Sequence, residues 1–230
     1  MYEAGDRMVD LIDDNYRLLQ VLSRFGMSLG FGDKTVDEVC RMHGVDTATF
    51  LVVINFVHSG YTQVTGDPSE ISIASLVDYL KQSHVYFLDF LLPRIKMELH
   101  AALGDKANRI SRLIFKQLDV YISSVAHHMK REDEELFPYV EGLLRGELKE
   151  GYKVSTFSKR HFAVDDDLRE LKRILIKYVP DAANRNELNS VLYQIYGCED
   201  ELDAHCKAED FILIPAVYSL EQKVRERNGR

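Results

Sequence analysis

The sequence predicts an all-α protein, an up-down-up-down four-helix bundle preceded by a small helical N-terminal domain. Downstream of residue 70, four long stretches place apolar residues three and four apart, and no alternating strand pattern competes with them. The connections between them are short, which makes consecutive helices antiparallel neighbours. Each stretch also carries a histidine, or a histidine with a glutamate, in a register that repeats after 77 positions.

The N-terminal elements follow from capping residues. Thr35 caps a helix through Arg41, Gly44 ends it, and Asp46 or Thr47 caps the next, over residues 49–57. This spacing resembles a helix-turn-helix. Its second helix, Thr-Ala-Thr-Phe-Leu-Val-Val-Ile-Asn-Phe, has no Arg or Lys with which to reach phosphate or guanine. Through residue 66 there are five basic and nine acidic side chains. Packing or dimerisation is therefore the expected role, with no nucleic acid partner. Residues 60–69 break the periodicity, and Asp67-Pro68-Ser69 reads as a turn that starts a helix. The expected domains are 1–66 and 70–225. The bundle helices are expected over about residues 71–103, 106–144, 156–178 and 183–224, separated by Gly104-Asp105, by residues 146–154 and by Pro180-Asp181.

Composition narrows the function classes. With 29 basic and 37 acidic side chains the formal charge is −8, which disfavours a polyanionic partner. Cys40, Cys198 and Cys206 form no Cys-x-x-Cys pair and leave one unpaired under any disulfide scheme, so a reducing cytoplasm is the expected compartment. The start, Met1-Tyr-Glu-Ala-Gly-Asp, lacks the basic and apolar segments of a signal peptide, and the longest apolar run, residues 50–57, is too short for a bilayer. Neither secretion nor a membrane partner is expected. No hydrolytic or nucleophilic motif is present.

The chemistry lies in the repeat. His84, His128 and Glu132 recur as His161, His205 and Glu209, so both halves read His-x43-His-x3-Glu. Flanks agree too: His128-Met-Lys-Arg-Glu-Asp leads to Leu136-Phe137-Pro138, and His205-Cys-Lys-Ala-Glu-Asp leads to Leu213-Ile214-Pro215. Residues four apart share a helix face, so each His-x3-Glu pair aims two donors at one spot. Four imidazoles and two carboxylates exceed the needs of one tetrahedral zinc and suit two metals bridged by both carboxylates. With two histidines, an oxygen from each Glu and a bridging oxo or hydroxo group, each metal is five-coordinate and keeps an open position. Such a donor set favours iron over magnesium or calcium and leaves manganese and zinc open. Glu-x-x-His, the pair used by ferritin-like di-iron bundles, occurs nowhere in the chain. Fewer anionic ligands favour the reduced metal pair, and with it a role in binding or reducing a diatomic molecule.

The repeat also sorts other candidates. His127 corresponds to Ala204, and His100, which corresponds to Lys177, lies about 160° around the helix from His84. Asp165 follows His161 by four but corresponds to Leu88; His43 and His58 have no metal-binding partner in sequence. Cys206 points about 100° away from His205. The acidic runs 132–135 and 165–167 are otherwise expected to be solvated.

These residues resemble the hemerythrin-like HHE cation-binding domain, whose signature is a lone His, a His-x3-Glu before Leu-Phe-Pro, and a second such set. The segment His84-Val-Tyr-Phe-Leu-Asp-Phe-Leu-Leu-Pro93 fits the same pattern. The order of a small helical domain and then this bundle is similar to the bacterial iron–sulfur cluster repair di-iron proteins, the regulators of cell morphogenesis and nitric oxide signalling. The resemblance implies two iron ions with a bridging oxo or hydroxo group, held by His84, His128, His161 and His205 and bridged by Glu132 and Glu209. It further implies NO or O2 as the small ligand, damaged iron–sulfur proteins as partners, and a cytoplasmic homodimer acting under nitrosative and oxidative stress. One departure matters: where that family carries Cys-Cys, this chain has Gly30-Phe31. Thiol chemistry of the small domain is therefore lost, and a sensing or scavenging role on the same scaffold becomes the alternative.

Overall fold

The structure, a computed structural model, describes residues 1–65, 70–104, 109–149, 151–156, 163–179 and 184–228; the side chains of 156 and 163–166 also lie outside the description. Among the described residues it is all-helical. Short helices α1 (Met8–Asp14), α2 (Leu18–Arg24), α3 (Val36–His43) and α4 (Thr47–His58) precede the long ones. These are α5 (Ile73–Val85) continuing into α6 (Leu92–Leu103), α7 (Arg109–Arg131) into α8 (Phe137–Leu144), α9 (Ala163–Tyr178), and α10 (Arg185–Ala208) into α11 (Ile214–Asn228). The expected turns at Asp67-Pro68-Ser69 and Pro180-Asp181 lie outside the described residues. No described helix is long and apolar enough to cross a membrane.

Three of the long helices are not continuous α-helix. A π-helical turn interrupts each, at Tyr86–Leu91, Glu132–Leu136 and Glu209–Leu213. The cause is the proline that follows as the second residue of the next helix: Pro93, Pro138 and Pro215. A proline has no N–H to give to the carbonyl four residues back, and its ring collides with that carbonyl. Widening the preceding turn removes the conflict. Accordingly Leu92 N–H donates to the Phe87 carbonyl and Ile214 N–H to the Glu209 carbonyl, each five residues back.

The chain forms two compact units. The first comprises Met1–Ser83, Phe137–Ser158 and Ala204–Arg230. Its N-terminal part is capped as the sequence predicts. Thr35 accepts from Glu38 N–H while the Glu38 side chain accepts from Thr35 N–H, Gly44 closes α3 in the left-handed region at φ 68°, and Asp46 caps α4. Asn55 pairs with the backbone of Tyr2 through both ends of its amide, at 2.6 and 3.0 Å. Helix α4 is core: Phe50, Val52, Val53, Ile54, Phe56 and Val57 are all buried. Phe25 meets Phe50 and Tyr79, and Phe56 meets Phe211, at ring separations of 5.4, 4.8 and 6.1 Å. The apolar face read as a would-be recognition helix is thus consumed by packing.

The second unit comprises His84–Leu136 and Lys159–Asp203. Here α7 packs along α9, and Ser124 donates to the Asp167 carboxylate at 2.8 Å. Tyr121 and Cys198, both 1% exposed, meet hydroxyl to thiol at 3.6 Å. Their separation is 77 positions, so each lies seven residues before its half's His-x3-Glu pair.

One buried ion pair in the first unit pins the segment before α9. Glu221 accepts from Val154 N–H at 3.1 Å and from the Arg225 guanidinium at 2.6 Å. Burial opposes its ionisation, but the Arg225 side chain and the Val154 amide together hold its carboxyl below the usual 4.5. A depressed carboxyl stabilises the fold fully above its unfolded pKa, and that contribution is lost as pH falls through the lower, folded value. Replacing Glu221 with Ala strands a buried amide and is expected to cost about 1–3 kcal/mol at pH 7. In urea titrations the gap from wild type should narrow in acid, below the usual carboxyl value of 4.5.

Candidate metal centre

The two His-x3-Glu pairs of the repeat fall in different units. In the second unit His128 stands in the last turn of α7 and Glu132 is the first residue of the π-turn, while His84 stands in the last turn of α5. Glu132 is 1% exposed, and its two oxygens face two imidazoles. His84 Nε2 lies 3.1 Å from Oε2, and His128 Nε2 lies 3.1 Å from Oε1. Two donors each about 2.1 Å from a shared cation and at a right angle stand roughly 3 Å apart. The spacing therefore fits a carboxylate with one imidazole beside each oxygen, as metal bridging requires.

The other nitrogen of His84 has a carboxylate of its own. Nδ1 lies 2.9 Å from Asp133 Oδ1, and a proton placed on Nδ1 and donated to that carboxylate leaves the Nε2 lone pair for a cation beside Glu132. Asp133 belongs to the acidic run that the sequence suggests is solvated. Asp133, Glu134 and Glu135 are all exposed, and Asp133, 44% exposed at its side chain, also reaches the His84 imidazole. The signal that could have found it is the carboxylate immediately after each repeated Glu.

In the first unit His205 and Glu209 repeat the pair at the end of α10. His205 Nε2 lies 3.6 Å from Glu209 Oε1, and both residues are buried at 1% exposure. Just beyond, Phe211 touches Phe56 of α4, and Lys207 lies over the Tyr61 ring at 5.6 Å. The N-terminal module thus abuts the segment that presents Glu209. His84 and Glu132 in the second unit, and His205 and Glu209 in the first, are each buried His/Glu pairs with the chemistry to hold a cation. A buried carboxylate without a partner is costly, and two imidazole-flanked carboxylates suit a cation better than any apolar replacement.

The remaining candidates separate as follows. His161 lies outside the described residues, as does the side chain of Asp165. His127 is exposed, and His100 stacks on Phe115 with ring centres 3.8 Å apart. His43 accepts from Ser28 N–H and donates to the Val39 carbonyl, and His58 packs on Tyr2. Burial pushes the Cys40 and Cys198 thiols up to about 12, so neither is a thiolate at neutral pH. At the position of the missing Cys pair, Gly30 has φ 95°, which side-chain-bearing residues rarely adopt, and Phe31 is buried.

Asp133→Ala should lower metal affinity about 10–100-fold while leaving the fold intact, measured by competition with a chelator, and Glu134→Ala should leave it unchanged. Residues 75–217, which include all six repeat residues, match the model of the Hemerythrin HHE cation binding domain. No curated protein matches the chain. Since the match covers well over half of the sequence, and the described half-sites carry that domain's donor types, the chain belongs to the hemerythrin HHE cation-binding family.

Proposed function

We propose that this hemerythrin-family protein holds two iron ions through His84, His128, His161 and His205, with Glu132 and Glu209 bridging. The observation that carries this reading is Glu132, buried with an imidazole at 3.1 Å from each oxygen. Pseudo-symmetry supports extending the same arrangement to the second His-x3-Glu pair. The imidazole-rich set favours iron over oxygen-seeking magnesium or calcium. Reduced iron held there supplies electrons and open coordination positions to a diatomic ligand. The chain's own contribution is to fix imidazole orientation through Asp133 and to keep both carboxylates from water.

On this basis the protein binds NO or O2 and takes part in the repair of iron–sulfur clusters damaged by nitrosative or oxidative stress. The order of a small helical module and then the bundle supports that assignment. A sensing role is the second reading. It is favoured by Gly30-Phe31 in place of a Cys pair and by the contact of Phe56 and Tyr61 with the Glu209 segment. A change at Glu209 would then be felt directly by α4.

Anaerobic reconstitution with ferrous iron should load two ions per chain, read by metal analysis and Mössbauer spectroscopy. Glu132→Ala and Glu209→Ala should each reduce that content; retention of both ions would refute the ligand set. Adding NO anaerobically should change the Mössbauer spectrum, and the reduced protein should restore activity to an enzyme whose iron–sulfur cluster NO has damaged. Ligand-induced spectral change without such rescue would leave the sensing role as the function.

A further inference from the structure

Between α6 and α7, within the second unit, runs a groove of about 830 Å³ that the metal reading does not use. Its walls reverse the charge of the chain. Lys96, Arg112 and Lys116 face it, and among the described lining residues Asp119 is the one carboxylate, with Asp167 behind Ser124, on a protein whose formal charge is −8. Lys96 is neutralised by Asp119 at 2.6 Å. Among the described residues Arg112 and Lys116 have no ion-pair partner.

Their placement works against helix stability. They stand four apart on α7, where like charges repel, and Arg112 lies near the N-terminal end of a helix that has no acidic residue in its first turn. Local rules broken in this way point to a function that rewards them. Concave walls of one sign concentrate a counter-charge. The apolar part of the groove is the stacked His100–Phe115 pair, its rings only 17° from parallel, and Ser123 adds a hydroxyl, while that of Ser124 is donated to the Asp167 carboxylate. At its far end the groove reaches His127, the neighbour of His128.

We propose that this groove binds a small phosphate-bearing molecule, with Arg112 and Lys116 clamping the phosphate and the His100–Phe115 pair supporting any planar ring attached to it. An Arg beside a Lys matches phosphate by fork and point charge together. The volume lies within the range of small-molecule sites and far exceeds what inorganic phosphate fills.

The test is calorimetric titration of the full chain with pyrophosphate and, separately, with adenosine diphosphate. Both should bind saturably, with affinity falling as salt rises. Arg112→Glu and Lys116→Glu should each weaken binding about tenfold or more, and neutral Lys116→Gln less. Charge reversal at the exposed Lys223, in the other unit, should change it less than twofold. His100→Leu should weaken adenosine diphosphate while sparing pyrophosphate. Glu132→Ala should leave both affinities intact, because the groove is separate from the metal centre. Absence of saturable binding at millimolar ligand, indifference to both Arg112 and Lys116 reversals, or loss of binding in Glu132→Ala would overturn the proposal.

Discussion

A carboxylate removed from water must be neutralised, and where Glu221 has the Arg225 guanidinium for this, Glu132 and Glu209 are buried at 1% exposure each beside imidazoles. Much else in the structure answers to that constraint. In the second unit the answer is two imidazoles, one for each oxygen of Glu132, supplied by different helices. Those imidazoles must in turn keep their donor nitrogen facing inward, and Asp133 does this for His84 from the solvent side. Buried anion, imidazole and outer carboxylate form a chain of charge and hydrogen bond that has little purpose without a cation at its inner end. Membership of a cation-binding family and this polar architecture are therefore two views of one physical requirement.

The prolines give the constraint its geometry. Glu132 and Glu209 are each the first residue of a π-turn that ends in Leu and is followed by Phe-Pro or Ile-Pro. An α-helical turn repeats every 3.6 residues, so one extra residue rotates everything beyond it by about 100°. The apolar residues after the glutamate can then take up core positions of their own, independent of the register that the His-x3-Glu pair imposes. Leu136, Phe137, Ile212 and Leu213 are all buried. Metal-binding register and packing register are thereby decoupled in a single helix.

Helix class, the capped ends of α3 and the start of α4 were legible because each is set by local chemistry: apolar period, a Thr–Glu capping box and a left-handed glycine. The repeat directed attention to Glu132 and Glu209 because internal duplication marks residues without reference to the fold. What escaped were features that depend on a second segment. Asp133 looks like one more solvent-facing acid until His84 is brought beside it, and the π-turns need the proline ring to be weighed against a carbonyl one turn back. His100 was set apart from His84 by its spacing, and nothing in that spacing announced the stack on Phe115.

Tyr121 and Cys198 carry a consequence of another kind. In a chain made of two related halves, equivalent residues that touch each other must sit on the axis relating them. There, identical side chains compete for one space: two tyrosines would overfill it and two cysteines would leave a void. A large residue against a small one resolves the conflict only because the halves differ. This contact at 3.6 Å therefore makes the two halves complementary and no longer interchangeable. Copying either half onto the other would restore sequence symmetry and leave an overfilled or a voided contact at that point.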